Sequence, residues 1–453
     1  MKTDLYPCIR ILLLICLFLV SGTPHVSGNP LKIDQFISPE TCGDCHGDIY
    51  HQWKQSMHNL SHHDPVYLGL STFILTGLQD KNEIDEAESC VKCHTPVGNI
   101  TGYPEKSSDD RKKIPEIATY GIQCDYCHSA TGAKKPYNNG LVLSPGNGEN
   151  DPGIKRGPFK NSESSFHDTA FSEFHTRSEI CGTCHNVKHV AFNTDLETTY
   201  DEWKNGPYYS EDEGKIVLCQ DCHMYQRPGI PATGSTKRPM NPGTAADDGP
   251  SREHIFTHYF VGANAFVPGQ FGNAEKNKMA EERLKHAATL SIVSQDIHQG
   301  HFDIIILNNG AGHKLPTGLT DVRQMWLEVT VLDEKGSTLL SSGEPDKSGY
   351  LKDGTLIYNT IFGDGRGNPV PNISKAREIL KDNRIPPRQS AKETYAITQK
   401  NWESLKIKAR LLYRSAPQKI LDTVLGDKTV KLPIIVMAET EKEIKRQKEK
   451  SDI

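Results

Sequence analysis

The chain carries three successive textures of apolar and polar positions. Ile11 to Val20 is an unbroken apolar run, with Lys2 and Arg10 ahead of it and Val26-Ser27-Gly28 behind. From there to residue 287 short helices and loops are expected, cut by Gly and Pro runs such as Ser144-Pro145-Gly146-Asn147-Gly148. Within this stretch one longer helix is expected from Asp48 to about His62, and another near Ala274 to His286. Residues 226–250 are rich in Pro, Gly, Ser and Thr and read as an ordered wrap or a linker. After Ala287 strand-like runs take over: Ala288–Val293, Phe302–Leu307, Trp326–Val331 and the alternating Leu405–Tyr413, with Pro/Gly-rich turns between them. The pattern predicts an α+β multidomain chain, with a mainly helical and loop region over 29–287 and an Ig-like β-sandwich over 288–438. A charged helix or tail is expected over 439–453.

The first run has the layout of a secretion signal, residues 1–28, cut before Asn29. It is short for a bilayer span, and nothing later approaches about 20 consecutive apolar residues. A retained anchor is the alternative. A lipoprotein reading at Leu13-Leu14-Ile15-Cys16 is weaker, because Ile15 is not small and the apolar run continues past the cysteine. Removing residues 1–28 takes away Lys2, Arg10 and Asp4, so the formal charge moves from -5 to -6. That mild acidity argues against nucleic acid and anionic membrane surfaces as partners. Only 36% of the chain is apolar, so something other than side chains is expected to supply part of its core.

Cysteine arithmetic names that something. Of twelve cysteines, Cys8 and Cys16 lie in the signal segment, and the other ten fall into five CxxCH patterns. These are Cys42/Cys45/His46, Cys90/Cys93/His94, Cys124/Cys127/His128, Cys181/Cys184/His185 and Cys219/Cys222/His223. Two thiols two residues apart form thioethers to the vinyl groups of one haem, and the adjacent imidazole becomes the iron's proximal ligand. A disulfide framework does not require a histidine after each pair. Structural zinc combines two Cys pairs, or one pair with two histidines, and a redox dithiol normally occurs once. Five haems c, covalently attached within residues 42–223, are therefore expected, with the porphyrins forming much of the core.

Each iron then takes a second axial ligand or stays open. Excluding the motif histidines and His25, thirteen histidines remain, and methionines are few. Bis-histidine ligation is the expectation, with low potentials. Context selects His58, after the first motif, and His167 and His175, eight residues apart before the fourth. It also selects His258, after the Pro/Gly segment, and His313 in the loop Asn309-Gly-Ala-Gly-His-Lys-Leu-Pro-Thr-Gly318. His51, His62, His63, His189 and His254 are reserves, and His286, His298 and His301 read as surface residues.

The run from Cys42 to His58, Cys-x2-Cys-His-x3-Tyr-x2-Trp-x2-Ser-x-His, resembles the opening of the cytochrome c-554 family. Ser165-Phe166-His167 through His185, Cys219–Met224 and His258–Asn264 resemble its larger multihaem relatives, and the loop around His313 is similar to a β domain fused to such cytochromes. The resemblance implies stacked and perpendicular haem pairs forming a conducting chain, in which histidines beside one motif often ligate another motif's iron. It implies an electron carrier or conduit, periplasmic or extracellular. Its partners would be redox proteins, a membrane quinol oxidase or other cytochromes, and self-assembly into an extracellular cytochrome filament is an extension of that role. The competing reading is an oxidoreductase in which one haem lacks a distal ligand and acts on a small nitrogen or sulfur compound.

Overall fold

The computed structural model describes residues 30–296, 300–399 and 401–446. The signal segment lies outside them. Among the described residues no helix is long and apolar enough to cross a membrane.

Residues 30–287 form short helices joined by loops, with a few two-stranded ladders. The expected longer helix after the first motif stops early. It spans Gly47–Trp53, and Asn59–Ser61 form a separate 3-10 turn. Gln55 breaks the run at φ 61°, its N–H donating to Asn59 Oδ1 at 2.7 Å. Asn offers the backbone an alternative to the helix ladder, and here that local bond wins. The Pro/Gly-rich segment after the fifth motif is an ordered wrap rather than a free linker. It pairs Gly243 with Arg252 and returns to the first motif, where Asp247 N donates to Cys45 O at 3.0 Å.

The C-terminal region contains strands β1 (Ala288–Asp296), β2 (His301–Asn308), β3 (Gln324–Asp333), β4 (Thr338–Ser342), β5 (Ile357–Tyr358), β6 (Thr360–Gly363), β7 (Glu378–Asp382), β8 (Ser390–Ala396), β9 (Ser404–Arg414) and β10 (Ile435–Lys445). One antiparallel sheet has the order β4-β3-β9-β10, with β5 also on β3; a second has the order β8-β2-β1. Alternation sets the register: Leu411 pairs with Leu327, Ala409 with Val329 and Ile407 with Val331. All six side chains are fully buried, and they share one core with Phe302, Ile304 and Ile306 of the other sheet. The result is an α+β protein whose helical and loop region is followed by packed antiparallel sheets. The sequence reading ended the sheet region at 438, but β10 continues to Lys445 because the charged residues from Glu439 alternate outward along it and pair with β9. Ile444, pointing the other way, is buried.

The sheets do not hang from a tether. Helix Ala274–Lys285 places Met279, Ala280 and Leu284 in the sandwich core. Helix Gln418–Leu425 packs Leu421 against Leu60 and Phe266. Leu196 of the haem-motif region lies with Phe362 and Ala376.

Candidate haem sites

Each CxxCH motif is folded as one helical turn, which brings the first cysteine, the second cysteine and the histidine (i, i+3, i+4) onto one face. His46 N donates to Cys42 O at 2.9 Å, His94 N to Cys90 O at 3.1 Å and His185 N to Cys181 O at 2.9 Å. Helices Cys124–His128 and Cys219–His223 hold the third and fifth motifs outright. Glycine follows the first cysteine in motifs one and four for a packing reason. A Cβ on Gly43 would stand 2.9 Å from the Tyr50 ring, and one on Gly182 would stand 2.6 Å from Tyr200.

All fifteen motif residues line one continuous cavity of about 1970 Å³. Their cysteines are free thiols, standing where thioether sulfurs would be. The motifs are not arranged in chain order. The Cys42 thiol lies beside that of Cys124, Cys93 beside Cys184, and Cys181 beside Cys219. Cys127 feels the charge of Cys184. Motif four therefore adjoins motifs two, three and five, and motif one adjoins motif three.

The imidazoles decide what this cavity can hold. A metal–imidazole bond is about 2.0 Å long, so two such bonds end to end, with the half-width of each ring, separate the ring centroids by about 6.3 Å. Four motif histidines have a partner at that spacing: His46 with His167 at 6.4 Å, His185 with His58 at 6.3 Å, His128 with His258 at 6.3 Å and His223 with His313 at 6.5 Å. These separations are too long for face-to-face stacking and suit one atom held between two nitrogens.

The hydrogen bonds fix which nitrogen is free. His46 Nδ1 donates to Ala245 O at 2.6 Å, His94 to Ser61 O at 3.0 Å, His128 to Arg156 O at 2.6 Å and His223 to Val261 O at 3.0 Å. Among the partners, His167 donates to Asp168 O at 2.9 Å, His258 to Phe256 O at 3.0 Å and His313 to Lys314 O at 3.0 Å. A carbonyl only accepts, so in each ring Nδ1 carries the proton and Nε2 presents its lone pair. Burial pushes His58 and His258 down to about 3, so both stay neutral and able to coordinate. The donor chemistry, the spacing and the cavity fit haem c, and Nε2 of these histidines would be the nitrogens that hold its iron.

Of the five distal histidines expected from sequence, the structure places four opposite a motif imidazole at the ligand spacing and places the fifth, His175, differently. His175 lies 5.7 Å from His128, but its Nε2 donates to Cys127 O at 3.0 Å and its Nδ1 meets Ser172 Oγ at 2.8 Å. Both nitrogens are engaged, and His258 takes the position opposite His128. None of the reserves lies opposite a motif imidazole at the ligand spacing, and His63 is exposed, edge-on to His62 at 4.9 Å. His189 bonds Ser374 O through Nε2, His254 stacks on Tyr225, and His51 is exposed. His62 is buried with Nδ1 on Thr95 Oγ1. Among the described residues no imidazole faces His94 at the ligand spacing. The ring packed on His94 is Tyr67, stacked at 3.8 Å, and its buried hydroxyl has no hydrogen-bond partner.

Three residues carry weight that the sequence reading did not assign. Glu197 Oε1 sits 3.4 Å from His185 Nδ1, so motif four alone among the motif histidines is held by a carboxylate side chain. Although burial acts the other way, the hydrogen bond and charge of Glu197 raise His185 to about 9, while Glu197 itself is held below the usual range. Phe260 adopts φ 46°, costly for a bulky residue, and its ring packs on His58 at 4.3 Å and His258 at 5.2 Å. Glu202 grips the loop that carries His313. None has a local sequence signature; Phe260 alone sat inside a segment already singled out, His258–Asn264.

Residues 41–129 match the family model described as Cytochrome c554 and c-prime. The fold matches the crystal structure of a penta-heme cytochrome c552 from Thermochromatium tepidum, with a TM-score of 0.60 and 19% sequence identity. The match covers 91% of this chain and 100% of that one. No curated protein matches the chain.

Proposed function

We propose that this multihaem c-type cytochrome, which resembles the cytochrome c-554 family, is an exported carrier or conduit that moves electrons among five haems c. The observation that carries the reading is the set of four imidazole pairs at 6.3–6.5 Å inside one cavity lined by all five motifs. Bound at these motifs, haem supplies a one-electron ferric/ferrous couple. The chain's own imidazoles would hold the iron from both sides at four motifs; backbone carbonyls lock most of their tautomers and the sites are apolar, which suits outer-sphere transfer rather than substrate binding. The count of five rests on the five motifs, and a penta-heme structure of similar fold supports it. The adjacency of motif four to motifs two, three and five makes it the junction of the chain. Export follows from the N-terminal apolar run and from haem c attachment outside the cytoplasm. The partners are redox proteins, a membrane quinol oxidase or other cytochromes, and the periplasm or the cell exterior is the compartment.

A second reading has its own observation: His94 has no imidazole opposite it among the described residues, while a buried tyrosine hydroxyl and the half-buried Arg111 guanidinium lie nearby. That makes the second motif the place for an open iron acting on a small nitrogen or sulfur compound. Protein-film voltammetry separates the two. The carrier reading predicts reversible one-electron waves that nitrite, hydroxylamine and sulfite leave unchanged. A catalytic current with any of the three would replace it with the oxidoreductase reading.

A further inference from the structure

His313 belongs to the sheet region, whereas the imidazole opposite it, His223, belongs to the fifth motif. Something must hold the β2–β3 loop at the right height across that boundary. Within the loop, Asn308 does part of the work: its Nδ2 donates to His313 O at 2.9 Å and to Ile385 O at 3.0 Å, and its Oδ1 accepts from Ala311 N at 3.1 Å. These bonds shape the loop but do not fix it to the haem-motif region.

Gly234 N donates to Gly310 O at 2.7 Å, Tyr208 OH to Asn309 O at 3.4 Å, and Thr199 Oγ1 meets Thr317 Oγ1 at 2.8 Å, but the bonds next to His313 come from Glu202. Glu202 lies on helix Thr199–Lys204, which follows motif four after the two-stranded ladder of Val187–Lys188 and Asp195–Glu197, and its side chain is 3% exposed. Its Oε2 accepts from Lys314 N at 3.0 Å, the residue next to His313, and from Thr317 Oγ1 at 2.7 Å. Its Oε1 accepts from Thr198 Oγ1 at 2.8 Å and from Arg384 Nη1 at 2.5 Å. Arg384 itself donates to both oxygens of Asp382, whose Oδ2 also accepts from Lys314 Nζ at 2.7 Å. The carboxylate thus has four donors, two of them from the very loop that presents the imidazole. Burying a charge is expensive unless it is fully bonded, so the arrangement persists only with the loop docked.

We propose that Glu202 is a positioning residue: it latches the 309–318 loop to the haem-motif region and so sets His313 as the sixth ligand of the fifth motif's iron. The proposal rests on the reading that His313 ligates that iron, and the test separates the two. The holoprotein and its variants are reduced, and carbon monoxide binding is titrated per molecule, with high-spin signals counted by electron paramagnetic resonance in the oxidised state. His313→Ala adds one CO-reactive haem equivalent to the wild-type value. Glu202→Ala adds the same equivalent, while Glu202→Gln, which keeps an acceptor for Lys314 N and Thr317, stays at the wild-type value. Glu202→Asp, one methylene shorter but still charged opposite Arg384, carries the same decision as Glu202→Ala if the alanine variant does not fold. Leu327→Ala, which thins the sandwich core, leaves the value unchanged; an added equivalent there would make Glu202 merely structural and overturn the proposal. If His313→Ala opens a haem and Glu202→Ala and Glu202→Asp do not, the proposal falls and the ligation stands. If His313→Ala changes nothing, the ligation itself is wrong and the proposal falls with it.

Discussion

The Glu197–His185 contact offers a quantitative handle on the junction motif. Replacing Glu197 by Gln keeps the size of the side chain and an acceptor for His185 Nδ1, but removes the charge. A hydrogen bond to a charged group contributes about 1.5–3 kcal/mol against about 0.5–1.5 kcal/mol for a neutral one, so the exchange forfeits roughly 1–1.5 kcal/mol. The loss falls mainly on the ferric state, because a more anionic imidazole stabilises the higher charge on the iron. With about 59 mV per tenfold change for one electron, the potential of that haem rises by about 40–65 mV, and loss of the negative charge acts in the same direction. Spectroelectrochemical titration of the wild type and Glu197→Gln reads it as one wave moving up while the others hold. Unmoved waves, or a wave moving down, would refute the idea that the carboxylate sets the junction potential.

Leu327→Ala removes a fully buried side chain from the sandwich core and is expected to cost about 2–5 kcal/mol in urea unfolding, with the haem spectrum of the folded protein unchanged. Asp382 is half-buried, and its pairing with Arg384 and Lys314 overcomes the upward push of burial to hold it at about 2. A depressed carboxylate contributes stability that is present above the unfolded value near 3.8 and is lost as pH falls toward 2. Asp382→Asn should therefore narrow the stability gap between pH 5 and pH 3 by about 0.5–1 kcal/mol after discounting for partial exposure, as measured by urea midpoints. His58→Ala, distant in sequence from motif four, is expected to open the iron of that motif and not its own, which resonance Raman spectra of ligation state check by comparison with Cys181→Ser/Cys184→Ser.

The sequence was most legible where chemistry imposes a local pattern. The five CxxCH motifs can be read outright because thioether spacing and the adjacent imidazole act within one helical turn. The strands β3 and β9 were legible through strict alternation, since Leu405, Ile407, Ala409 and Leu411 all face one core. The distal ligands were only partly legible. His58 and His167 lie beside one motif in sequence but face another in space, so the pairing is a property of the packing. His175 shows the limit: its flanking Phe174 and Thr176 mirror a ligand context, yet a carbonyl three-dimensionally adjacent, Cys127 O, takes its Nε2. Glu197 and Glu202 were invisible because each acts on a backbone or ring across the fold, and an isolated glutamate has no sequence pattern that says so. The overrun of β10 past Ala438 was missed for a related reason. A charged stretch reads as a tail until a partner strand turns one of its faces inward.

The central claim is that imidazoles would cap both sides of four irons, whereas among the described residues no second imidazole faces His94. The most direct measurement joins a pyridine haemochrome count with carbon monoxide binding on the same reduced sample. The account predicts five haems per chain, with one-fifth of the haem absorbance shifting on addition of carbon monoxide. A count other than five would contradict the motif reading. A shift of two-fifths or more would contradict the ligand pairs that carry the account, and no shift would contradict the open position opposite His94.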